Sequence, residues 1–404
     1  MLRTALIFIV GLVFIAAIIG LPFHPVLKVV AGAGLMYAAS KLLGRELKIN
    51  DDLGLLMIRS KVGLSSLEKA AKADKFWNAA MDIGTVIGYG LLSFFILKRP
   101  IKEKLGIMAV GFLLMGFIAF LVAPSVFPFM IETLGTGNLA STSKSVSGAV
   151  GLLPYILAIG GFAFMGLSSL MFYTWVIISS VGSALSGNGA LSSIVPGATL
   201  VLPGVNIPFA EGILALAVIL VVHEGAHAVM TRVAKVRLLS TGVVLFGVIP
   251  IGAFVEPDEK KLLALDAQKQ TRMLVAGSSA NFFASVFFFI LLAIFMFSTG
   301  PFKESSVFVP SGLMNGTTVS KINGVDPLVF LKSTEKDVLL NSELTFTTNT
   351  GEYTTRLGEG ITYKELFSSY VLVGYANPVM KFIYNLLGLA FALNFVVGTV
   401  NLLP

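Results

Sequence analysis

The chain has 404 residues, 55% of them hydrophobic and 13% charged, with a mean hydropathy of +0.88. Soluble domains carry about 25% charged residues, so the composition excludes a soluble globular protein and points to an α-helical polytopic membrane protein. Cysteine is absent, which removes disulfides, thiolate metal sites and cysteine nucleophiles and leaves histidine and carboxylate as metal ligands. The net charge of +7 comes without a basic domain, so it is read as lysine and arginine flanking membrane spans and not as a nucleic-acid surface.

Apolar runs at 5–21, 26–43, 76–97, 105–127, 151–180, 209–230, 273–298 and 378–403 approach the roughly 20 residues that cross a bilayer, and they predict eight crossings of a cell membrane. Arg3 precedes the first run and no A-x-A-like cleavage site follows it, which fits an uncleaved anchor. Lys28 and Lys41 shorten the apolar middle of the second. The stretch 44–74 mixes both charge signs and predicts a short amphipathic surface helix. The run at 151–180 is long enough to tilt, kink or hide a re-entrant turn.

These features divide the chain into an N-terminal multi-pass region (1–200), a core (201–300), a β-rich extracytoplasmic insert (301–375) and a last core helix (376–404). Within the insert, alternation in TVSKING, ELTFTT and EYTTRL predicts strands, with Asn349-Thr350-Gly351 as a hairpin turn. No long internal repeat supports a transporter built from matched halves.

The stretch VILVVHEGAHAV places two of the chain's three histidines and a glutamate in a membrane span. An ionisable group in hydrocarbon costs a few kcal/mol even on lenient scales, and a bound dication would offset that cost. His223 and His227 stand at i and i+4 on one helix face, so both imidazoles can reach one ion, with Glu224 beside them. In a zinc hydrolase such histidines are ligands and the glutamate is the general base. Random placement gives roughly one HExxH in a thousand such chains. The alternative, a capping or buried hydrogen-bond role, does not explain why all three groups come together.

HEGAH on an apolar helix, then GVIPIGAFVEPD, RMLVAGSSANFFA and NFVVGTVNLLP in that order, resembles the site-2-type intramembrane zinc metalloproteases, in particular archaeal members. The resemblance implies that His223 and His227 bind zinc and that Glu224 activates water. It also implies that Asn281 and Asn401 lie near the active site on neighbouring helices, and that 243–255 forms a membrane-dipping β-hairpin. Gly247 and Gly252 in that hairpin suit close backbone approach, and an exposed β edge could receive an unwound substrate by strand addition. The expected activity is zinc-dependent endoproteolysis of transmembrane protein substrates within the lipid bilayer. The alternative is a proteolytically inactive relative that binds transmembrane helices.

The same resemblance implies a third zinc ligand, the aspartate of a D-G pair a few residues beyond N-x-x-P; the sequence runs to Asn401-Leu402-Leu403-Pro404 and lacks it. Asp82, the acidic residue well inside another span, is a substitute to consider. Glu256 and Asp258 read as loop residues at the aqueous boundary. SKINGVDP and the hairpin after it resemble part of a PDZ domain, and Asn315-Gly316-Thr317 forms a glycosylation sequon. Basic residues between Arg232 and Arg272 place that loop in the cytoplasm; counting back by single crossings leaves Lys98, Arg99, Lys102 and Lys104 outside, against the same rule.

Overall fold

A computed structural model of the protein describes residues 2–22, 24–49, 53–60, 63–134, 139–186, 201–204, 207–300, 304–309, 317–326, 330, 343–348, 351–356, 370–375 and 377–403. Two compact units are present, Met1–Phe289 with Leu389–Pro404, and Ile290–Gly388.

In the first unit the helices are α1 (Leu2–Gly20), α2 (Pro25–Leu47), α3 (Leu64–Ala70), α4 (Asp74–Tyr89), α5 (Ser93–Ile96), α6 (Ile101–Leu134) and α7 (Leu139–Leu185). They are followed by α8 (Phe209–Val233), α9 (Glu259–Leu263), α10 (Ala267–Leu274), α11 (Ala276–Ser298) and α12 (Pro378–Val400), the last two running on into the second unit. Backbone polar groups in hydrocarbon must be satisfied within the segment, and a helix does this. Among the described residues seven helices are long and apolar enough to cross a membrane, while α1 contributes a shorter apolar stretch, Arg3–Ile18. This is a multi-pass membrane protein. Leu113 and Phe120 of α6 are 75% and 73% exposed, as side chains facing lipid are.

The segment expected as one crossing at 76–97 falls in one of these seven, and it is interrupted. Its helix breaks at Gly90 (φ 53, ψ −133), and the chain folds back over a short 3₁₀ turn and α5. Lys98 and Arg99 then share a cleft with Lys75 and Asn78 of the first turns of α4, and Arg99 bonds Asp82 in the middle of that helix. From there α6 sets out beside α4, with Gly111 against Val86. The basic run at 98–104 thus begins at the end of the bundle that also holds Arg272.

A second interruption meets the first. Helix α7 kinks at Gly161 (φ 62, ψ −160), where any Cβ would run into the carbonyl carbon and oxygen of Gly88. Two broken helices therefore touch backbone to backbone, an arrangement tolerated at membrane depth where protein covers it. Phe162, Ile87, Phe282, Phe395 and Leu402 fill the core around this crossing.

The predicted hairpin is present and longer than 243–255: β2 (Leu238–Phe246) pairs antiparallel with β3 (Ile249–Pro257). The sequence reading missed β1 (Leu55–Ser60), which pairs with the other side of β2 and leaves β3 as a sheet edge. Its residues LLMIRS fall in the charge-rich stretch from which only an amphipathic helix was expected; α3, directly after β1, is helical. Glu256 belongs to β3, not to a loop, whereas Asp258 caps α9 by accepting the Lys261 N–H at 3.3 Å.

In the second unit, β4 (Glu304–Val309), β5 (Thr317–Ile322), β6 (Glu343–Thr348), β7 (Gly351–Arg356) and β8 (Tyr370–Gly374) form an antiparallel sheet of order β7-β6-β5-β4-β8. The strands expected from TVSKI, ELTFTT and EYTTR pair in that order; Leu344 and Phe346 are buried two apart, as alternation requires, whereas Val319 and Ile322, three apart, are both buried across a register shift between Val319 and Lys321. Asn349 and Thr350 of the expected turn, and Asn315 and Gly316 of the sequon, lie outside the described residues.

Candidate metal centre

Helix α8 carries HEGAH on its last turns, and the i, i+4 spacing turns both imidazoles to one side. The Nε2 atoms of His223 and His227 stand 3.3 Å apart. Two nitrogens each 2.0–2.1 Å from a tetrahedral zinc ion are about 3.4 Å apart, so the separation is that of two ligands on one ion. Glu224 lies between them in sequence and is half-buried.

Each ring is oriented through its other nitrogen. His227 Nδ1 lies 2.8 Å from the carbonyl oxygen of Met273, an acceptor that puts the proton on Nδ1 and leaves the Nε2 lone pair facing the shared space. His223 Nδ1 lies 3.1 Å from the side-chain amide of Asn281, which is fully buried. The amide nitrogen of Asn281 faces the ring and its Oδ1 is buried without a partner. A half-turn of the amide would bring Oδ1 to accept from Nδ1–H and leave the His223 Nε2 lone pair available as well.

A residue the sequence reading passed over lets α11 approach both rings. A Cβ on Gly277 would strike the Cε1–Nε2 edge of His223 and lie 2.6 Å from Nε2 of His227, so only glycine allows the helix this close to the two imidazoles. Gly277 and Asn281 are four apart on α11 and thus share a face, a pairing that GSSAN holds in plain view. The Met273 carbonyl has no sequence signal, because backbone oxygens have no letter.

The residues present therefore fit a metal ion with two nitrogen ligands. Among the described residues no group of three His, Cys, Asp or Glu could hold a metal ion. Asp82 is no such ligand: its carboxylate is fully buried, with Oδ1 bonded by Arg272 Nε at 2.7 Å and Oδ2 by Arg272 Nη2 and Arg99 Nε, each at 2.8 Å.

Of the supporting residues expected from the sequence, the structure brings Asn281 to the histidines. Asn401 follows the end of α12, exposed, one turn beyond Gly398, which packs on the Ser278 carbonyl and the Phe282 ring of α11. Gly247 is the turn of the β2–β3 hairpin (φ +62); its N–H donates to Ser40 Oγ at 2.5 Å, and a Cβ would strike the backbone of Met36. Its glycine requirement thus arises at α2. Gly252 sits on β3 opposite Val244, where a Cβ would make ordinary contact at 3.5 Å.

Residues 211–404 match the model of peptidase family M50. No curated protein and no solved structure matches the chain. The matched region begins at the start of α8 and takes in both histidines, Glu224, the hairpin, Gly277 and Asn281, so it is over residues 211–404 that the chain is similar to peptidase family M50, the site-2 protease family.

Proposed function

We propose that the protein is a zinc-dependent intramembrane endopeptidase of the cell membrane that cleaves transmembrane segments of other membrane proteins. The family is one of membrane metalloproteases, and the observation that carries the finer reading is the 3.3 Å separation of the two Nε2 atoms, that of two ligands on one ion. His223 and His227 hold the ion, and the resemblance implies an aspartate as third ligand. When bound, zinc polarises the scissile carbonyl and makes water acidic enough to lose a proton near neutral pH.

The chain's own residues do the rest. Glu224, one residue from His223 on the same helix, takes the proton of the attacking water on its carboxylate and hands it to the leaving amide nitrogen. Met273 and Asn281 hold the imidazoles in the tautomer that keeps both Nε2 atoms available. A substrate helix must unwind before its peptide bonds are accessible, and its freed N–H and C=O groups need partners in hydrocarbon. The β3 edge offers them, and it packs beside α8.

The test is cleavage of a transmembrane reporter by the protein reconstituted in liposomes with zinc. Glu224→Gln should retain zinc and lose cleavage by a factor of about 100 or more, given that general acid-base catalysis contributes 10²–10⁴-fold. Undiminished cleavage by that variant would remove Glu224 from the role of base. A chain that holds zinc yet cuts nothing, with Glu224 intact, would be the inactive helix-binding relative.

A further inference from the structure

Two cavities flank α4 on adjacent faces, away from the histidines. The first is an open cleft of about 740 Å³ whose polar walls include Lys75, Lys98, Arg99, Glu103 and Arg272. Its charges do not cancel. Arg99 bonds Asp82 and Glu103, and Arg272 bonds Asp82, so two guanidinium groups are matched by two carboxylates. Lys75 and Lys98 remain, both exposed and neither in an ion pair among the described residues. The cleft lies at the basic end of the bundle, where the membrane surface is expected.

The second cavity, of about 430 Å³, is walled by apolar side chains, among them Phe76, Trp77, Ile83 and Phe283. Ala79 lines both cavities. A molecule lying across this small side chain places an anionic group between the two lysines and a hydrocarbon chain against Phe76, Ile83 and Phe283. A water-soluble phosphate would use only the cleft, whereas an amphiphile dissolved in the bilayer fills both.

We propose that this pair of cavities is a binding site for an anionic phospholipid, with the headgroup phosphate at Lys75 and Lys98 and one acyl chain in the Trp77 groove. The site stands apart from the metal centre and does not depend on the protease reading. A lysine near a membrane surface strengthens anionic-lipid binding by roughly fivefold, so the pair accounts for roughly 25-fold.

Trp77 in the groove supplies the probe. The chain has two tryptophans, so a Trp175→Phe background leaves Trp77 as the sole emitter. Full-length protein in mixed micelles is titrated with phosphatidylglycerol or phosphatidylcholine carrying brominated acyl chains, and quenching of Trp77 is read. The expected result is half-quenching at a phosphatidylglycerol fraction at least tenfold lower than for phosphatidylcholine. Lys75→Gln with Lys98→Gln should abolish that preference; Lys260→Gln with Lys261→Gln, as a control for general surface charge, should retain it. Ala79→Trp, read by native mass spectrometry because it adds an emitter, should reduce retained phosphatidylglycerol with both lysines in place. Equal quenching by the two lipids, an unchanged preference in the Lys75/Lys98 variant, an equal loss in the control pair, unreduced retention by Ala79→Trp or full relief of quenching by inorganic phosphate would each overturn the proposal.

Discussion

Arg272 grips Asp82 with two parallel hydrogen bonds, Nε to Oδ1 at 2.7 Å and Nη2 to Oδ2 at 2.8 Å, and the next residue along, Met273, is the one whose carbonyl receives His227 Nδ1–H. A buried carboxylate 190 positions away in sequence thus fixes the backbone that orients His227. Fork-on-carboxylate pairing adds direction as well as energy, and Arg99 on Oδ2 ties the returning chain after α5 to the same point.

Asp82→Asn keeps the shape of the side chain and removes its charge, leaving the two guanidinium groups without their shared counter-ion; breaking such a pair costs about 3–5 kcal/mol in buried settings. Groups that orient ligands typically change metal affinity 10–100-fold, so zinc affinity should fall about tenfold or more, measured by competition with a chromophoric chelator on protein whose helicity is unchanged. Asp82→Glu should recover part of the loss. Wild-type affinity in a folded Asp82→Asn chain would show that the clamp does not reach His227.

Gly277→Ala probes the close approach of α11 to the histidines. Alanine is a better helix former than glycine by about 1 kcal/mol, so α11 should remain intact while the added methyl, against the Cε1–Nε2 edge of His223 and 2.6 Å from His227 Nε2 before any relaxation, pushes the two rings out of their shared orientation. Zinc content after dialysis should drop to near zero with circular dichroism unchanged. Stoichiometric zinc in this variant would place the ion elsewhere.

Glu256 offers a pH reading outside the membrane helices. Its carboxylate accepts from Ser240 Oγ at 2.6 Å and faces Arg59 at 3.4 Å, and the Ser240 bond, ahead of Arg59, holds its pKa below the ordinary carboxylate value. A depressed acid stabilises the fold above its unfolded pKa and loses that contribution as pH falls through the folded one. The tie between β1 and β3 should therefore weaken on acidification below the ordinary glutamate range, and Ser240→Ala should move Glu256 titration, followed by carboxyl NMR, back towards that range. A titration unchanged by Ser240→Ala would refute the assignment of cause.

Much of this architecture is legible in the residues, and the parts that are not share a physical reason. Apolar runs report helices because hydrocarbon forbids unpaired backbone, and i, i+4 histidines report a shared face because helix geometry is local. Alternation found β5, β6 and β7 for the same reason. Asp82, by contrast, looked like an isolated acid in a span, since nothing local reveals partners at Arg99 and Arg272. The return of the chain after Gly90 was hidden too, because a helix and its return make one continuous apolar run of crossing length. Strand β1 was masked by flanking charges, which suggested a surface helix, and its partner lies almost 190 residues on, at Leu238–Phe246. Gly247 reads as a place of close backbone approach, and the backbone it meets is Met36 on α2, a partner that no local pattern names.

Metal content tests whether His223 and His227 hold one zinc ion between their Nε2 atoms, as proposed above. Protein purified in detergent after equilibration with zinc and removal of the excess should contain about one zinc per chain by mass spectrometry of the metal. The His223→Ala, His227→Ala double variant, folded by circular dichroism, should contain almost none. Zinc retained at about one per chain in that double variant would contradict the account.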